Sequence, residues 1–239
     1  MKHIHFESID STNLYLKNNY STLDHDQLVT SDHQTEGKGR MGNTWSDTHG
    51  SALFSILLKK DLHVSKISQI PILAVVAAHK VLLKYVPSLM IKWPNDLLVH
   101  EKKLVGILSE SIIIGNNVEA LIVGFGINVQ NEQFNSTLDS SATSIFLETG
   151  LLPSIGTVIQ DVSHQFTIEF DLMSNRSKEY LNYYKKYLLF LGQEITYVSN
   201  GIKYHAIAVD INSEGNLIVR NSSGKMTLKS SEVHLIRTY

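Results

Sequence analysis

The sequence predicts an α+β protein in which a large domain of helices packed on a sheet precedes a small C-terminal β-barrel. Up to about residue 190, apolar runs of strand length alternate with apolar residues at helical spacing. Beyond that point, short strands with turn residues every several positions are typical of a barrel. The 239 residues are 43% hydrophobic and 18% charged, which permits a sizeable core and excludes intrinsic disorder. We therefore expect one domain over 1–190 and a second over 191–239.

Capping and periodicity predict the elements of the first part in turn. Asp-Ser-Thr-Asn at 10–13, followed by leucines, predicts the capped start of a helix. Apolar runs over 27–30 and 51–58 predict strands, and the apolar spacing over 67–85 predicts a helix packed on the sheet. Between the two strands, 33–50 is polar and carries four glycines, so we predict a long loop with a function.

The remaining elements follow from the same criteria. Trp93-Pro94-Asn95 interrupts a strand predicted over 90–99, and Gly115-Asn116-Asn117 suits a hairpin turn between two apolar runs. The other predicted elements are strands over 103–114 and 119–129, helices over 143–149 and 155–187, and barrel strands over 194–198, 203–210, 216–220 and 225–228.

The composition excludes several classes of function. The 21 Lys and Arg residues balance 23 Asp and Glu, so no overall basic field attracts nucleic acid or an anionic membrane. The absence of Cys excludes disulfides, thiolate nucleophiles and Cys-ligated zinc, and the eleven His show no metal-ligand spacing. The N-terminus lacks the apolar run of a signal peptide, and we find no apolar run of the roughly 18–20 residues that span a bilayer. We expect a cytoplasmic protein.

The glycine-rich segment Gly37-Lys38-Gly39-Arg40-Met41-Gly42 is the first candidate site. Glycines let the backbone approach a ligand and present N–H groups to an anion. Lys38 and Arg40 add two cations, of which the Arg fork suits phosphate or carboxylate. The alternative is a flexible polar loop with solvated charges. The segment matches neither a Walker loop nor a dinucleotide-binding fingerprint.

Lys92 is the second candidate because it lies within a predicted apolar strand, directly before Trp93-Pro94-Asn95-Asp96. An unpaired buried ammonium is costly, so the head either reaches the surface or meets an anion. Gly106, Gly124 and Gly126 lie inside apolar runs, where a glycine indicates a bulge or a close backbone approach. Spacing alone therefore leads to an anion- or nucleotide-binding α/β protein, with ordinary tightly crossing strands as the alternative.

The order of these motifs resembles the biotin protein ligases along essentially the whole chain. The matching segments are DSTN (10–13), QTEGKGRMGNTW (34–45), KWPNDLLV (92–99), KLVGILSE (103–110), GFGINV (124–129), SEGNLIVR (213–220) and SSEVHLI (230–236). The resemblance implies a class II synthetase-like catalytic domain, with a mixed sheet flanked by helices, and a C-terminal SH3-like β-barrel. It also implies conversion of biotin and ATP, with Mg²⁺, to biotinyl-5′-AMP and pyrophosphate. The biotinyl group then passes to a lysine of a biotin carboxyl carrier domain.

The resemblance also assigns site residues. It implies that Lys92 and Arg40 are catalytic, with Lys92 bridging the biotin carboxylate and the phosphate. The implied biotin-binding residues are Ser11, Thr12, Asn13, Gln34, Gly37, Lys38, Gly39, Arg40, Lys92 and Gly106. The implied ATP and adenylate contacts are Arg40, Asn43, Trp45, Lys92 and Asn128.

Two loop residues depart from the family pattern, which usually reads GRGRxxR. Lys38 keeps a charge but loses the two-pronged fork, and Asn43 has no charge. We therefore expect weaker retention of the adenylate or a raised Michaelis constant for ATP.

Three further expectations concern partners. Some family members carry an N-terminal winged helix-turn-helix, whereas here DSTN begins at residue 10, so we expect the short type without DNA binding. Homodimerisation is common in the family. A lysine-dependent lipoate ligase and a noncatalytic biotin- or nucleotide-binding regulator remain the alternatives.

Overall fold

A computed structural model describes residues 1–59, 63–135, 140–173, 177–230 and 233–236. Its N-terminal part holds strands β1 (Lys2–Ile9), β2 (Gln27–Gln34), β3 (Ser51–Leu58), β4 (Met90–Lys92), β5 (Asp96–Val99), β6 (Lys102–Ile114) and β7 (Asn117–Asn128). Its helices are α1 (Thr12–Asn19), α2 (Ile70–Leu82), α3 (Ile145–Thr149), α4 (Ile155–Leu172) and α5 (Ser177–Lys186). The C-terminal strands are β8 (Glu194–Ser199), β9 (Ile202–Ile211), β10 (Leu217–Asn221), β11 (Gly224–Leu228) and β12 (Val233–Ile236).

The seven N-terminal strands form one mixed sheet in the order β1-β2-β3-β7-β6-β5-β4. β1 pairs with β2 in parallel, and the other described neighbours are antiparallel. Successive side chains point to opposite faces of a sheet, so Leu57 packs with Leu16 of α1 while Ile56 joins the main core on the other face. The predicted α+β fold, a mixed sheet flanked by helices, is confirmed.

α2 lies at the centre of the main core. Ten of its 13 residues are buried, among them His79. Contrary to the expectation of no apolar run of spanning length, residues 64–82 are long and apolar enough to cross a membrane by length and composition, with a mean hydropathy of 1.2 over an 18-residue window. This composition also suits a helix enclosed by protein on all sides, and α2 packs against the sheet and α4.

Two predicted elements divide into pairs. The strand predicted over 90–99 is a hairpin, in which Trp93-Pro94-Asn95 separates β4 from β5 and Lys92 pairs with Asp96. The single helix predicted over 155–187 is wrong, because α4 ends at Leu172 and α5 begins at Ser177. The chain there reads Met-Ser-Asn-Arg-Ser, and Ser and Asn favour helix ends over helix interiors; positions 174–176 lie outside the described residues.

The C-terminal strands form an antiparallel sheet in the order β11-β10-β9-β8-β12. Within the described residues, no pairing joins the two edge strands, so the expected SH3-like barrel is observed as an open sheet. Most side chains of edge strand β11 are exposed, as in a strand that has solvent on its free side. Residues 231–232 and 237–239 of the predicted barrel lie outside the described residues.

The C-terminal sheet packs directly on the N-terminal part. Trp93 Nε1 donates to the carbonyl oxygen of Gly215 at 2.9 Å, and Lys185 Nζ lies 2.7 Å from Asp210 Oδ1. Gly215 has φ +84°, and a Cβ there would lie 2.4 Å from Ile72 Cδ1 of α2. One hydrophobic cluster runs through both parts. The domain boundary near residue 190 stays a prediction.

Candidate active site

A cavity of about 160 Å³ lies between the glycine-rich loop, the β4–β5 hairpin, the face of β6 and β7, and β12. Its lining includes most of the residues that the sequence singled out. These are Ser11, Thr12, Asn13, Gln34, Lys38, Gly39, Arg40, Asn43, Trp45, Lys92 and Gly106. The fold therefore brings together motifs that lie far apart in the sequence.

One wall of the cavity is a chain of buried polar groups at the start of α1. The Ser11 hydroxyl caps this helix by accepting from the Leu14 N–H. The Thr12 N–H donates to Gln34 Oε1 at 2.8 Å, and Thr12 Oγ1 lies 2.6 Å from Ser55 Oγ. Ser55 Oγ in turn donates to Asn13 Oδ1 at 2.6 Å. Mutual hydrogen bonds fix these groups before any ligand binds.

Asn13 lies in the space that a side chain on β7 would otherwise occupy. A Cβ at Gly124 would stand 2.1 Å from Asn13 Oδ1. The Asn13 amide also donates to Glu110 Oε2 at 3.0 Å. The glycine that the sequence marked as a close approach thus makes room for a residue of the polar wall.

Trp45 lies over the paired glycines of β6 and β7. Gly106 is the register partner of Gly126, and a Cβ on either would stand within 2.6 Å of the Trp45 indole. The close approach predicted at Gly106 is therefore made by this indole. Trp45 Nε1 is buried and has no hydrogen-bond partner within the described part of the chain. It is available to an acceptor on a ligand.

The glycine-rich loop is folded back on itself by backbone hydrogen bonds. The Trp45 N–H donates to the Gly37 carbonyl at 2.9 Å, and the Gly39 N–H donates to the Asn43 carbonyl at 2.8 Å. A Cβ at Gly37 would lie 2.6 Å from the Trp45 carbonyl oxygen. Gly37 is not part of the cavity lining, and its observed contribution is this tight crossing.

Arg40 joins the loop to both halves of the molecule. Its Nη1 donates to Asn95 Oδ1 at 3.0 Å, and its Nη2 donates to the Ser230 carbonyl at 2.6 Å. Burial lowers the pKa of the Arg40 guanidinium, while the carboxylate of Asp96 acts in the opposite direction. A guanidinium keeps its charge in proteins, so Arg40 presents a fixed cation to the cavity.

Three lysines complete the positive lining of the cavity: Lys38, Lys92 and Lys103. Lys38 Nζ lies 3.3 Å from Glu36 Oε2, and Lys103 Nζ lies 2.8 Å from Asp96 Oδ1. Cations and oriented donors around one cavity suit an anionic ligand with carboxylate or phosphate groups.

Asn128 is not brought to the cavity. It is 4% exposed, and its amide donates to the Thr143 carbonyl at 2.9 Å. This hydrogen bond holds the segment before α3 against β7. The assignment of Asn128 to ATP binding stays a prediction.

Several cavity residues were not assigned from the sequence. Asn95 and Lys103 lie inside the quoted motifs, where their polarity was a usable signal. Ser55 lies in a buried apolar strand and gave none. Val233 and Leu235 of β12 also line the cavity, although they are far away in the sequence.

The described residues contain no group of three or more His, Asp or Glu side chains that could hold a metal ion. The cavity lining does include the Asp96 carboxylate. Mg²⁺ is commonly held by one or two carboxylates together with substrate phosphates. This one carboxylate, which also pairs with Lys103, fits a Mg²⁺ ion whose other ligands come from the phosphates of a nucleotide.

Comparison with known families matches residues 5–128 to the biotin/lipoate A/B protein ligase family. Residues 190–235 match the biotin protein ligase C terminal domain. The chain belongs to the biotin/lipoate A/B protein ligase family. The resemblance to biotin protein ligases in particular is confirmed by relatives and by solved structures.

Two relatives illustrate this similarity. A bifunctional ligase/repressor BirA of Bacillus subtilis is 30% identical over 213 residues, or 87% of this chain and 66% of the relative. The chain thus spans slightly less than two thirds of that protein's length. A biotin–[acetyl-CoA-carboxylase] ligase of Paracoccus denitrificans is 27% identical over 231 residues, or 94% of this chain and 96% of the relative.

Solved structures extend the similarity to three dimensions. The biotin protein ligase from Aquifex aeolicus in complex with biotin and ATP superposes with a TM-score of 0.86 and 26% identity over 99% of both chains. A Helicobacter pylori enzyme, biotin acetyl coenzyme A carboxylase synthetase, has a TM-score of 0.64 and 18% identity over 95% of this chain and 99% of that one. The second similarity is one of fold alone.

Proposed function

We propose that this chain is a biotin–[biotin carboxyl-carrier protein] ligase. It activates biotin with ATP and transfers the biotinyl group to a lysine of a carrier domain. The observation that carries the proposal is the cavity itself, in which Lys38, Arg40, Lys92 and Lys103 face a buried polar wall. The relatives named as biotin ligases support the choice of biotin.

In the first step, a biotin carboxylate oxygen attacks the α-phosphorus of ATP. A new O–P bond forms, and the bond from phosphorus to the bridging oxygen breaks, so pyrophosphate leaves with the electron pair. Because two anions must approach each other, fixed cations lower the barrier. Lys92 and Arg40 supply these charges. The hydrogen-bonded polar wall that includes Thr12 and Asn13 holds the uncharged part of biotin.

The glycine-rich loop protects the product of this step. A mixed anhydride is readily hydrolysed, and an ordered loop excludes water. Arg40 holds the loop to Asn95 and to the Ser230 carbonyl. A phosphate inside the cavity gives the same guanidinium a stronger, charged acceptor.

In the second step, the neutral ε-amine of the carrier lysine attacks the biotinyl carbonyl carbon. A C–N bond forms, the C–O bond to the phosphate breaks, and AMP leaves with the electron pair. The lysine nitrogen gives up one proton before the attack and a second as the amide forms. We propose that ATP binds with Mg²⁺, which Asp96 would help to hold and which would neutralise phosphate charge.

The proposal extends to cell location and assembly. The absence of Cys and the net charge of −2 support a cytoplasmic protein with no DNA partner. We also propose a homodimer. β1 is an edge strand of the large sheet with mostly exposed side chains, and it offers unpaired backbone groups to a second copy. Sedimentation analysis across a concentration series tests the dimer.

Pyrophosphate release tests the first half-reaction and separates the alternatives. We expect release from ATP in the presence of biotin and not of lipoate, and its loss in Lys92→Ala. Pyrophosphate release from ATP with lipoate but not with biotin would indicate a lipoate ligase. Biotin binding without any release would contradict the proposal and indicate the noncatalytic regulator, for which the changes at Lys38 and Asn43 are the motivating observation.

A further inference from the structure

A second, open groove adjoins the cavity on the side of α1. Its lining shares Lys38, Gly39, Arg40, Met41 and Leu108 with the cavity, and it continues past Leu14, Lys17, Ser109 and Glu110. The glycine-rich loop therefore forms a boundary that both spaces share. Met41 on this boundary is 62% exposed.

Glu110 contributes a carboxylate to this groove, and this carboxylate already pairs with an ammonium group. Lys17 Nζ of α1 lies 2.9 Å from Glu110 Oε1. The other carboxylate oxygen, Oε2, accepts from Asn13 Nδ2 at 3.0 Å. One oxygen is thus fixed by a residue of the cavity wall, while the other holds a lysine head in the groove.

The pair of Lys17 and Glu110 is suited to exchange. Lys17 is 51% exposed, and the side chain of Glu110 is 29% exposed. Exposed ion pairs contribute little to stability, so replacing one ammonium by another changes the free energy little. Arg40 and Lys38 make the groove positive in the free protein, but a bound adenylate phosphate offsets that charge. The groove thus accepts a cation best after the first step.

We propose that this groove admits the acceptor lysine of the carrier, and that Glu110 docks its ammonium group by displacing Lys17. The inference rests on the proposed function and assigns a residue to its second step alone. The flanking Leu14 and Leu108 provide an apolar path for the methylene stem of a lysine. The ammonium group then gives one proton to solvent in the open groove, and the neutral amine moves on from Glu110 to attack the biotinyl carbonyl of the anhydride.

Transfer kinetics with a purified biotin carrier domain test this inference through effects of opposite sign. Glu110→Gln keeps an oxygen for Asn13 but loses the charge, so the Michaelis constant for the carrier rises by about tenfold. Lys17→Ala removes the competing ammonium, so the same constant falls by about threefold. Lys84→Ala is the matched control, because Lys84 is 50% exposed and pairs with Asp161 at 2.6 Å away from the groove.

Two further measurements isolate the docking step. Pyrophosphate release with biotin and ATP, without carrier, stays unchanged in Glu110→Gln and Lys17→Ala. Hydroxylamine is a small neutral nucleophile that needs no carboxylate, so its attack on the adenylate also stays unchanged in Glu110→Gln.

The contrary outcomes are distinct. A rise in the Michaelis constant for both variants identifies a structural ion pair and overturns the inference, as does no change in either. Loss of pyrophosphate release in Glu110→Gln assigns Glu110 to the biotin site through Asn13 and also overturns it. A wild-type protein that releases no pyrophosphate contradicts the proposed function itself.

Discussion

At the scale of single residues, glycines in β6 and β7 determine which side chains can line the cavity. Gly106 and Gly126 make room for the Trp45 indole, and Gly124 makes room for Asn13. The sequence predicts a close approach at such positions, because a glycine inside an apolar strand is otherwise unfavourable. It cannot predict which group approaches, since Trp45 and Asn13 come from distant segments.

Gly124→Ala tests the contact between Gly124 and Asn13. The added methyl group would overlap Asn13 Oδ1 and push this side chain out of the polar wall. We expect the dissociation constant for biotin to rise by about tenfold or more, measured by titration calorimetry. Gly156→Ala is the control, because a Cβ there meets only Ser154 Oγ at 3.8 Å. Equal affinity in Gly124→Ala and wild type would contradict the assignment of Asn13 to biotin.

Asn43→Arg tests whether the loop has lost phosphate affinity. Asn43 is exposed and belongs to the cavity lining, so an arginine there adds a positive charge beside the space proposed for the phosphates. We expect the Michaelis constant for ATP to fall by about threefold and adenylate to dissociate more slowly. Asn43→Gln, which adds length without charge, should leave both properties at wild-type values. An Arg variant no better than the Gln variant would show that charge at this position is immaterial.

At the scale of elements, contacts of α2 and α5 hold the strand that presents Lys92. His79 Nε2 lies 2.9 Å from the Leu89 carbonyl, and His79 Nδ1 lies 3.0 Å from the Tyr183 hydroxyl. A neutral imidazole satisfies both contacts, by donating to the carbonyl and accepting from the phenol. Burial lowers the pKa of His79 to about 4.

The lowered pKa makes the free energy of unfolding depend on pH. Between about pH 4 and pH 6.5, His79 is protonated in the unfolded chain but neutral in the folded chain. Stability is therefore full above the unfolded value and falls by about 3 kcal/mol as the pH drops through this window. In His79→Gln, urea unfolding should lose less stability over the window than in wild type. Identical pH slopes would contradict this role.

Element prediction succeeded where a local signal was strong. The strand over 51–58 and the hairpin around Gly115-Asn116-Asn117 have the predicted positions, because apolar runs and turn residues are local signals. The helix predicted over 155–187 is wrong because its apolar spacing continues on both sides of the break between α4 and α5. Spacing reports a buried face and not the continuity of a helix.

At the scale of the whole molecule, the C-terminal sheet completes the cavity. Trp93 donates to the Gly215 carbonyl, Arg40 donates to the Ser230 carbonyl, and Val233 and Leu235 of β12 line the cavity. The sequence predicted a second unit of short strands but none of these contacts, because each joins residues more than 100 positions apart. The geometry of the predicted SH3-like barrel also depends on long-range strand pairing.

Trp93→Phe measures the attachment of this sheet. It removes the donor to the buried Gly215 carbonyl, so we expect the free energy of unfolding to fall. Trp45→Phe is the matched control, since Trp45 Nε1 has no partner within the described residues and its loss costs less. The difference between the two variants in urea unfolding should be about 1–2 kcal/mol. Equal losses would mean that this hydrogen bond contributes nothing.

The most direct measurement of function is the mass of a biotin carrier domain after incubation with the protein, biotin, ATP and Mg²⁺. We expect one biotinyl addition with the wild-type protein and none with Lys92→Ala. Circular dichroism of Lys92→Ala checks that this variant keeps the native fold. A competent carrier that stays unmodified, although the wild-type protein binds biotin, would contradict the assignment of this chain as a biotin protein ligase.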